Sequence, residues 1–185
     1  MTKGEKIRPL YNAIIKNTPL GSLGTASSNL GLVAVEFVDS QDQLFQILEQ
    51  RFDRNVYEVL SYPDHQIEQN SAAAACTQLD EYLRGTRKQF EITIDWSVMT
   101  PFQEGALKIT YKIPYGQVVT YADIARQIGK PNAARAVGRA EATNPMPLVI
   151  PCHRVIGTDG GLHGYGGRGG LETKAWLLRL EGAIE

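Results

Sequence analysis

Little in this chain points to a membrane, an oxidising compartment or a metal. Of 185 residues only two are cysteines, Cys76 and Cys152. That is too few for a disulfide framework and suits a reducing compartment. The longest apolar runs, such as Leu148-Val149-Ile150, last a few residues and fall far short of a membrane span. Met1 to Asn17 holds no apolar stretch of signal-peptide length, so the expected location is the cytoplasm, or the nucleus in a eukaryote. His65, His153 and His163 make no His-x-x-x-His spacing, and the cysteines make no Cys-x-x-Cys, so no metal or other cofactor is expected. Internal repeats are absent as well. Net charge is nearly absent too, at −1, and that figure taken whole argues against a nucleic-acid binder.

The composition that remains is ordinary for a globular protein. With 43% hydrophobic and 21% charged residues the chain can build a packed core, and its length allows one domain or two small ones. The charge is not evenly spread. Residues 1–100 carry 9 Lys and Arg against 13 Asp and Glu, whereas residues 101–185 carry 10 against 7. The halves are therefore −4 and +3, a split that prompts a search for a nucleic-acid surface in the second half, although surface scatter can produce it.

The first half reads as a small α/β domain. Leu32 to Val38 is rich in β-branched residues, follows the turn Asn29-Leu30-Gly31 and predicts a strand. Gln43 to Phe52 places Leu44, Ile47, Leu48 and Phe52 on one helical face. A second helix is expected from a cap at Ser71 to Leu83, with Cys76 on its apolar side as a buried, inert thiol. Phe90 to Ile94 alternates in the strand period, and Asp95 to Pro101 has the turn chemistry of a boundary. The domains are accordingly expected at 1–97 and 98–185.

The second half opens with a helix–turn–helix pattern. Helices are expected over Phe102–Lys112, Tyr121–Ile128 and Ala133–Ala142, with Thr120 and Asp123 as a capping pair and Asn132 as the cap of the last. Many helical hairpins share that pattern. The last helix is more informative, because only Arg135, Arg139 and Glu141 carry long side chains. Base reading in the major groove needs several outreaching polar residues. A bare helix, with Ala134, Ala136 and Gly138 around Arg135, suits close and sequence-indifferent contact in the minor groove instead, where one side chain can enter the base stack.

Chemistry concentrates at Pro151-Cys152-His153-Arg154-Val155. Pro145, Pro147 and Pro151 hold the approach rigidly, as a nucleophile requires. An imidazole and a guanidinium beside the thiol predict a lowered thiol pKa. In extended chain neighbouring side chains diverge, so His153 is expected to act on Cys152 through water, with a carboxylate orienting its far nitrogen.

These residues resemble the O6-alkylguanine-DNA alkyltransferases, the methylated-DNA–protein-cysteine methyltransferases. Pro-Cys-His-Arg-Val-Ile, Asn144-Pro145, Ala134-Arg135-Ala136-Val137-Gly138, Ile113-Pro114-Tyr115-Gly116, Thr120-Tyr121, Gly164-Tyr165 and Lys174 to Glu181 fall in that family's order. A weaker likeness runs through Thr18-Pro19-Leu20-Gly21 and Leu79 to Gly85. The resemblance implies an α+β fold: a small ribonuclease-H-like α/β domain without that activity, then a helical domain of winged helix–turn–helix type carrying DNA binding and the active site. It further implies that Cys152 accepts the alkyl group, with His153 and Glu181 completing its activating network. Asn144 would brace the active-site loop, Arg135 would replace the flipped base and Tyr121 would help rotate its phosphate. Pro147, Val155, Tyr165 and Gly166 would line the guanine pocket. The partner so implied is double-stranded DNA carrying O6-alkylguanine, with O4-methylthymine as a second substrate, met in the minor groove by a monomer and repaired once per protein molecule.

Two departures stand out. Ala106-Leu107 and Thr110 replace the Val-Trp and leucine usual in the family, so different packing of that helix is expected. The loop Gly164-Tyr165-Gly166-Gly167-Arg168-Gly169-Gly170 is two residues longer than usual, which bears on the pocket rim. Gly164, Gly166 and Gly169 satisfy G-x-G-x-x-G, but no βαβ unit can follow so near Glu185, and the dinucleotide reading is rejected. Rival readings are a non-catalytic sensor of alkylated DNA, against which Cys152 speaks, and a thiol hydrolase or transcriptional regulator that carries a helix–turn–helix.

Overall fold

The computed structural model describes residues 8–53, 57–61 and 72–185, which leaves His65 and the expected cap Ser71 outside it. Two compact units are formed: the described residues up to Arg84 with Phe90–Asp95, and Gly85–Gln89 with Trp96–Glu185.

The first unit is a four-stranded sheet with helices. Strands β1 (Arg8–Thr18), β2 (Gly21–Ser28), β3 (Gly31–Phe37) and β4 (Tyr57–Ser61) lie in the order β3-β2-β1-β4. β1–β2 and β2–β3 are antiparallel hairpins, while β4 runs parallel to β1. Helix α1 (Gln41–Arg51) is capped by Ser40, which accepts from Gln43 N at 3.2 Å, and buries Leu44 and Leu48. It begins and ends close to the predicted bounds. Helix α2 (Ala72–Leu83) buries Ala72, Ala75, Cys76, Leu79, Tyr82 and Leu83. Cys76 lies 3.4 Å from Thr25 Oγ1, and burial pushes its thiol up to about 11, the inert state expected of it.

Phe90–Ile94 does not form the expected strand. Its alternation is real, since Ile92 and Ile94 are buried, but only Ile94 bridges to Leu32 of β3. The Gln78 side chain occupies the Glu91 backbone, accepting from its N at 2.7 Å and donating to its O at 3.2 Å. Those groups are thereby spent away from a ladder.

The second unit is helical. Helix α3 (Pro101–Thr110) starts with a proline after the cap Thr100 and stops short of the predicted Lys112. Strand β5 (Val119–Thr120), which pairs in parallel with the later β6 (Val155–Ile156), leads directly into helix α4 (Tyr121–Gln127). The capping box forms as predicted: Asp123 N donates to Thr120 Oγ1 at 3.1 Å, and Thr120 N donates to Asp123 Oδ2 at 2.9 Å. The turn after α4 is a Schellman motif, with Gly129 N on Arg126 O and Lys130 N on Ala125 O. Helix α5 (Ala134–Ala142) follows, but Ala133 stands at its N-cap without a side-chain bond, so Asn132 is not the cap. The core of this unit is Ala106, Ile113, Ile124, Ala125, Val137, Ala140 and Val155. Helix α6 (Gly170–Leu180) buries Thr173, Lys174, Leu177 and Leu178, while Trp176 and Leu180 are half-buried.

Candidate active site

The segment before the cysteine is fixed by local hydrogen bonds. Asn144 accepts from Met146 N at 3.0 Å through Oδ1 and donates from Nδ2 to Ile150 O at 2.8 Å, so one side chain spans the whole approach. Leu148 has φ 74°, in the left-handed region, and Ile150 N turns back onto Met146 O at 2.9 Å. Leu148–Ile150 is thus a buried turn, joined by a bridge between Pro147 and Ile150.

Cys152–Arg154 forms a single 3-10 turn. Successive side chains in such a turn point about 120° apart, so His153 and Arg154 leave in directions different from Cys152. His153 Nε2 lies 2.9 Å from Glu181 Oε1. Arg154 donates from Nε to Glu181 Oε2 at 2.8 Å, from Nη2 to Oε1 at 2.7 Å, and from Nη1 to Ile113 O at 2.6 Å. Gly116 N adds a bond to Glu181 Oε2 at 3.2 Å. Glu181 is held in place by the end of α6, a second Schellman motif in which Gly182 takes φ 70° and Ala183 N returns to Leu178 O.

The charge states follow. Burial alone would raise the Glu181 carboxyl, but the bonds from His153 and Arg154 outweigh it and draw it down to about 2. Burial lowers His153, with Glu181 opposing, so the imidazole is neutral and Arg154 is the counter-ion of the carboxylate. A neutral ring that donates from Nε2 keeps a lone pair on Nδ1, the arrangement of a base. The thiol corrects the sequence reading: Cys152 is 5% exposed, and burial with the nearby Glu141 carboxyl pushes it up to about 12. The expected lowering fails because Arg154 spends its charge on Glu181, and the Asn144 bond and Lys174 only partly offset the burial.

The bare helix faces outward where expected. Arg135, Ala136 and Arg139 are exposed, while Val137 and Ala140 pack inward. A cavity of about 650 Å³ opens beside it, lined by Tyr121, Ala134, Arg135, Gly138, Gly157 and Gly164 among others. Tyr121 begins α4 against Gly138, where an added Cβ would meet its ring at 3.8 Å. Burial, with Glu141 and Cys152, raises the Tyr121 phenol to about 12, so it keeps its proton. Pro147, Val155, Tyr165 and Gly166 are not part of that cavity wall. Pro147 and Val155 are buried, Tyr165 has a buried hydroxyl, and Gly166 approaches α5 so closely that a Cβ would stand 2.5 Å from Ala142 O.

Two family models match the chain: the 6-O-methylguanine DNA methyltransferase ribonuclease-like domain over residues 10–96, and the DNA binding domain of the same family over residues 101–183. The chain belongs to this methyltransferase family. Among curated relatives, the methylated-DNA–protein-cysteine methyltransferase of Shigella flexneri is 37% identical over 168 residues, covering 90% of this chain and 93% of the relative. The constitutive one of Bacillus subtilis is 40% identical over 158 residues, covering 85% and 93%. The crystal structure of Mycobacterium tuberculosis OGT in complex with DNA superposes with a TM-score of 0.72 at 33% identity, covering 95% of this chain and 93% of that one. The α+β architecture of ribonuclease-like and DNA-binding domains read from the sequence is the one found.

For a methyltransferase of this family, two residues near the cysteine escaped the sequence reading. Lys174 is fully buried, and its ammonium donates to Val155 O at 2.6 Å, Leu162 O at 2.5 Å and Gly164 O at 3.4 Å. It ties the segment after the cysteine to α6, lies 5.7 Å from the Tyr121 ring centroid, and burial lowers it to about 8. Glu141 is buried on α5, one turn beyond Val137, and that i,i+4 spacing is the signal that could have found it. The substitutions in α3 have a packing counterpart here: Ala106 and Leu107 are fully buried, and Thr110 Oγ1 sits 2.6 Å from Glu141 Oε1. In the longer glycine loop, Arg168 O accepts from Thr173 Oγ1 at 2.6 Å, which fastens the loop to the first turn of α6.

Proposed function

We propose that this protein repairs DNA by moving the alkyl group of O6-alkylguanine, or the methyl of O4-methylthymine, irreversibly onto Cys152. The observation that carries the proposal is the buried network in which His153 and Arg154, from the same turn as the cysteine, meet Glu181 at the end of α6. The other roles belong to the same reading. Residues 98–185 hold the chemistry and residues 1–97 support it. The DNA substrate places the work in the cytoplasm of a bacterium or the nucleus of a eukaryote.

A duplex hides its guanine O6, so the nucleotide must leave the stack, at a cost of a few kcal/mol. Arg135, with Ala134, Ala136 and Gly138 allowing close approach, enters the minor groove and fills the vacated place. Tyr121 aids rotation of the phosphate, and Pro147, Val155, Tyr165 and Gly166 shape the pocket. Asn144 holds the cysteine loop still. The Cys152 proton passes through water to His153 Nδ1, whose new charge Glu181 offsets. Sulfur then bonds to the alkyl carbon as the C–O6 bond breaks, and its electron pair stays on guanine. Tyr121 donates to the departing base, and the proton on His153 returns through solvent to close the balance. The thioether has no carbonyl for water to attack, so each molecule reacts once.

The test is stoichiometry. Duplex DNA containing O6-methylguanine, titrated with protein, should yield at most one unmodified guanine per molecule, and none with Cys152→Ala. Repeated turnover would refute the reading.

A further inference from the structure

The buried carboxyl of Glu141 has no part in the network around Glu181, yet it stands among the groups that surround the cysteine. Its Oε1 is 2.6 Å from Thr110 Oγ1, and its Oε2 is buried without a hydrogen-bond partner among the described residues. Thr110 Oγ1 also lies 3.2 Å from Ala106 O, the carbonyl one turn back in α3. A hydroxyl has one proton and cannot donate to both acceptors. If Thr110 satisfies the Ala106 carbonyl, the proton in the shorter contact belongs to the carboxyl. A carboxylate in this place would hold a full charge with one oxygen unpartnered, which makes the charged form costly and favours the acid at rest.

We propose that Glu141 is a positioning residue of the alkyl-transfer site, resting as a neutral acid that donates to Thr110, and that its ionisation disfavours the Cys152 thiolate. Burial supports this by raising the carboxyl to about 7, against the nearby Lys174 charge. The groups that face it are Lys174 from α6, Tyr121 from α4 and Cys152 from the 3-10 turn, with Thr110 the contact from α3. A charge on Glu141 works against the loss of a proton from Cys152 and from Tyr121, the two groups whose protons the reaction moves. Lys174 is the one cation among these neighbours, and Val155 O, Leu162 O and Gly164 O already engage it. Thr110 and Glu141 thus act as a pair: the hydroxyl that replaces an apolar side chain in α3 gives the acid a place for its proton.

The inference rests on Cys152 being the alkyl acceptor, and the experiment separates the two claims. Single-turnover methyl transfer from duplex DNA is measured from pH 5.5 to 9 for the wild type and Glu141→Gln, which is isosteric and always neutral. The two rates should agree near pH 5.5. The variant should run ahead as pH rises through 7, by up to about tenfold if the Glu141 charge raises the thiol by one pK unit. A purely structural role would shift both ends of the profile together. Absence of methyl transfer in the wild type would overturn the functional reading itself. Transfer with identical profiles in both proteins would overturn this inference alone. Should the variant fail to fold, infrared difference spectra of the wild type decide, with carboxyls assigned by carbon-13 labelling of glutamate. A protonated-carboxyl band that disappears between pH 6 and 8 supports the inference, and its absence at pH 6 refutes it.

Discussion

Replacing Glu181 by glutamine removes one charge and almost no volume. In the native protein the carboxylate accepts from Arg154 Nε at 2.8 Å, from Arg154 Nη2 at 2.7 Å and from Gly116 N at 3.2 Å, and meets His153 Nε2 at 2.9 Å. Its side chain is fully buried and that of Arg154 is 7% exposed, so solvent does little to screen the pair. The amide oxygen of glutamine can take one guanidinium hydrogen, but the amide nitrogen faces a donor with another donor. Arg154 is left as a buried cation without a counter-ion, and breaking such a pair costs about 3–5 kcal/mol. The native protein has both of its tryptophans, Trp96 and Trp176, in the second unit, so fluorescence during urea unfolding reports on the unit that carries the change. The midpoint should fall with no change in slope. Chemistry should suffer separately, because the amide hydrogen can bond to His153 Nε2 and force the ring proton to Nδ1, where it blocks receipt of the thiol proton. Loss of a positioned base slows a reaction by roughly 10²–10⁴. A Glu181→Gln protein that unfolds within about 0.5 kcal/mol of wild type and alkylates at the same rate would refute the ion network as the support of the site.

Other substitutions separate folding, binding and chemistry. Arg135→Ala alters an exposed side chain, so stability should hold within about 0.5 kcal/mol. Methyl transfer from duplex should slow by about thirtyfold as ~2 kcal/mol of stack filling is lost, with reaction on the free base unchanged. Gly166→Ala places a Cβ 2.5 Å from Ala142 O, so the loop must withdraw from α5, destabilising the protein by about 1–3 kcal/mol in thermal unfolding. Glu141, raised from 4.5 to about 7, binds its proton more tightly in the native state. Its stabilising contribution is therefore full below pH 4.5 and lost as pH rises through 7. At pH 8 Glu141→Gln should be more stable by about 2 kcal/mol, from ~3 kcal/mol of linkage less ~1 kcal/mol for a buried amide hydrogen. Binding to duplex should weaken steadily with salt at a slope set by a handful of phosphate contacts, and a flat response would contradict a DNA face on the basic half.

Much of the site was legible because it is local. The proline-framed cysteine, the Thr120–Asp123 box, the exposed alanine face around Arg135 and the pairing of His153 with a carboxylate follow from residue types and spacing. The sheet was less legible. β2 reads Gly-Ser-Leu-Gly-Thr-Ala-Ser-Ser, without the branched bulk that marks a strand, because Gly24 lies under Leu44 where a Cβ would come within 2.6 Å. The thiol was misjudged because neighbours in sequence are not neighbours in charge: Arg154 turns to Glu181 and the cysteine is left in a dry pocket. Lys174 and Glu141 are hidden for a related reason. Each is a charged residue type on an otherwise ordinary helix; spacing from Val137 hints that Glu141 faces inward, but the folded chain is what brings both beside the cysteine.

The central claim is that one particular sulfur takes the alkyl group, although both thiols, Cys76 and Cys152, are buried and both are raised, to about 11 and about 12. Thiol acidity therefore does not single out Cys152; its place in the turn that carries His153 and Arg154 onto Glu181 does. Peptide mass mapping after incubation with O6-methylguanine duplex decides the matter. The account predicts one methyl group on the Cys152 peptide and none on the Cys76 peptide. A methyl on Cys76, or repaired DNA with both peptides unmodified, would contradict it.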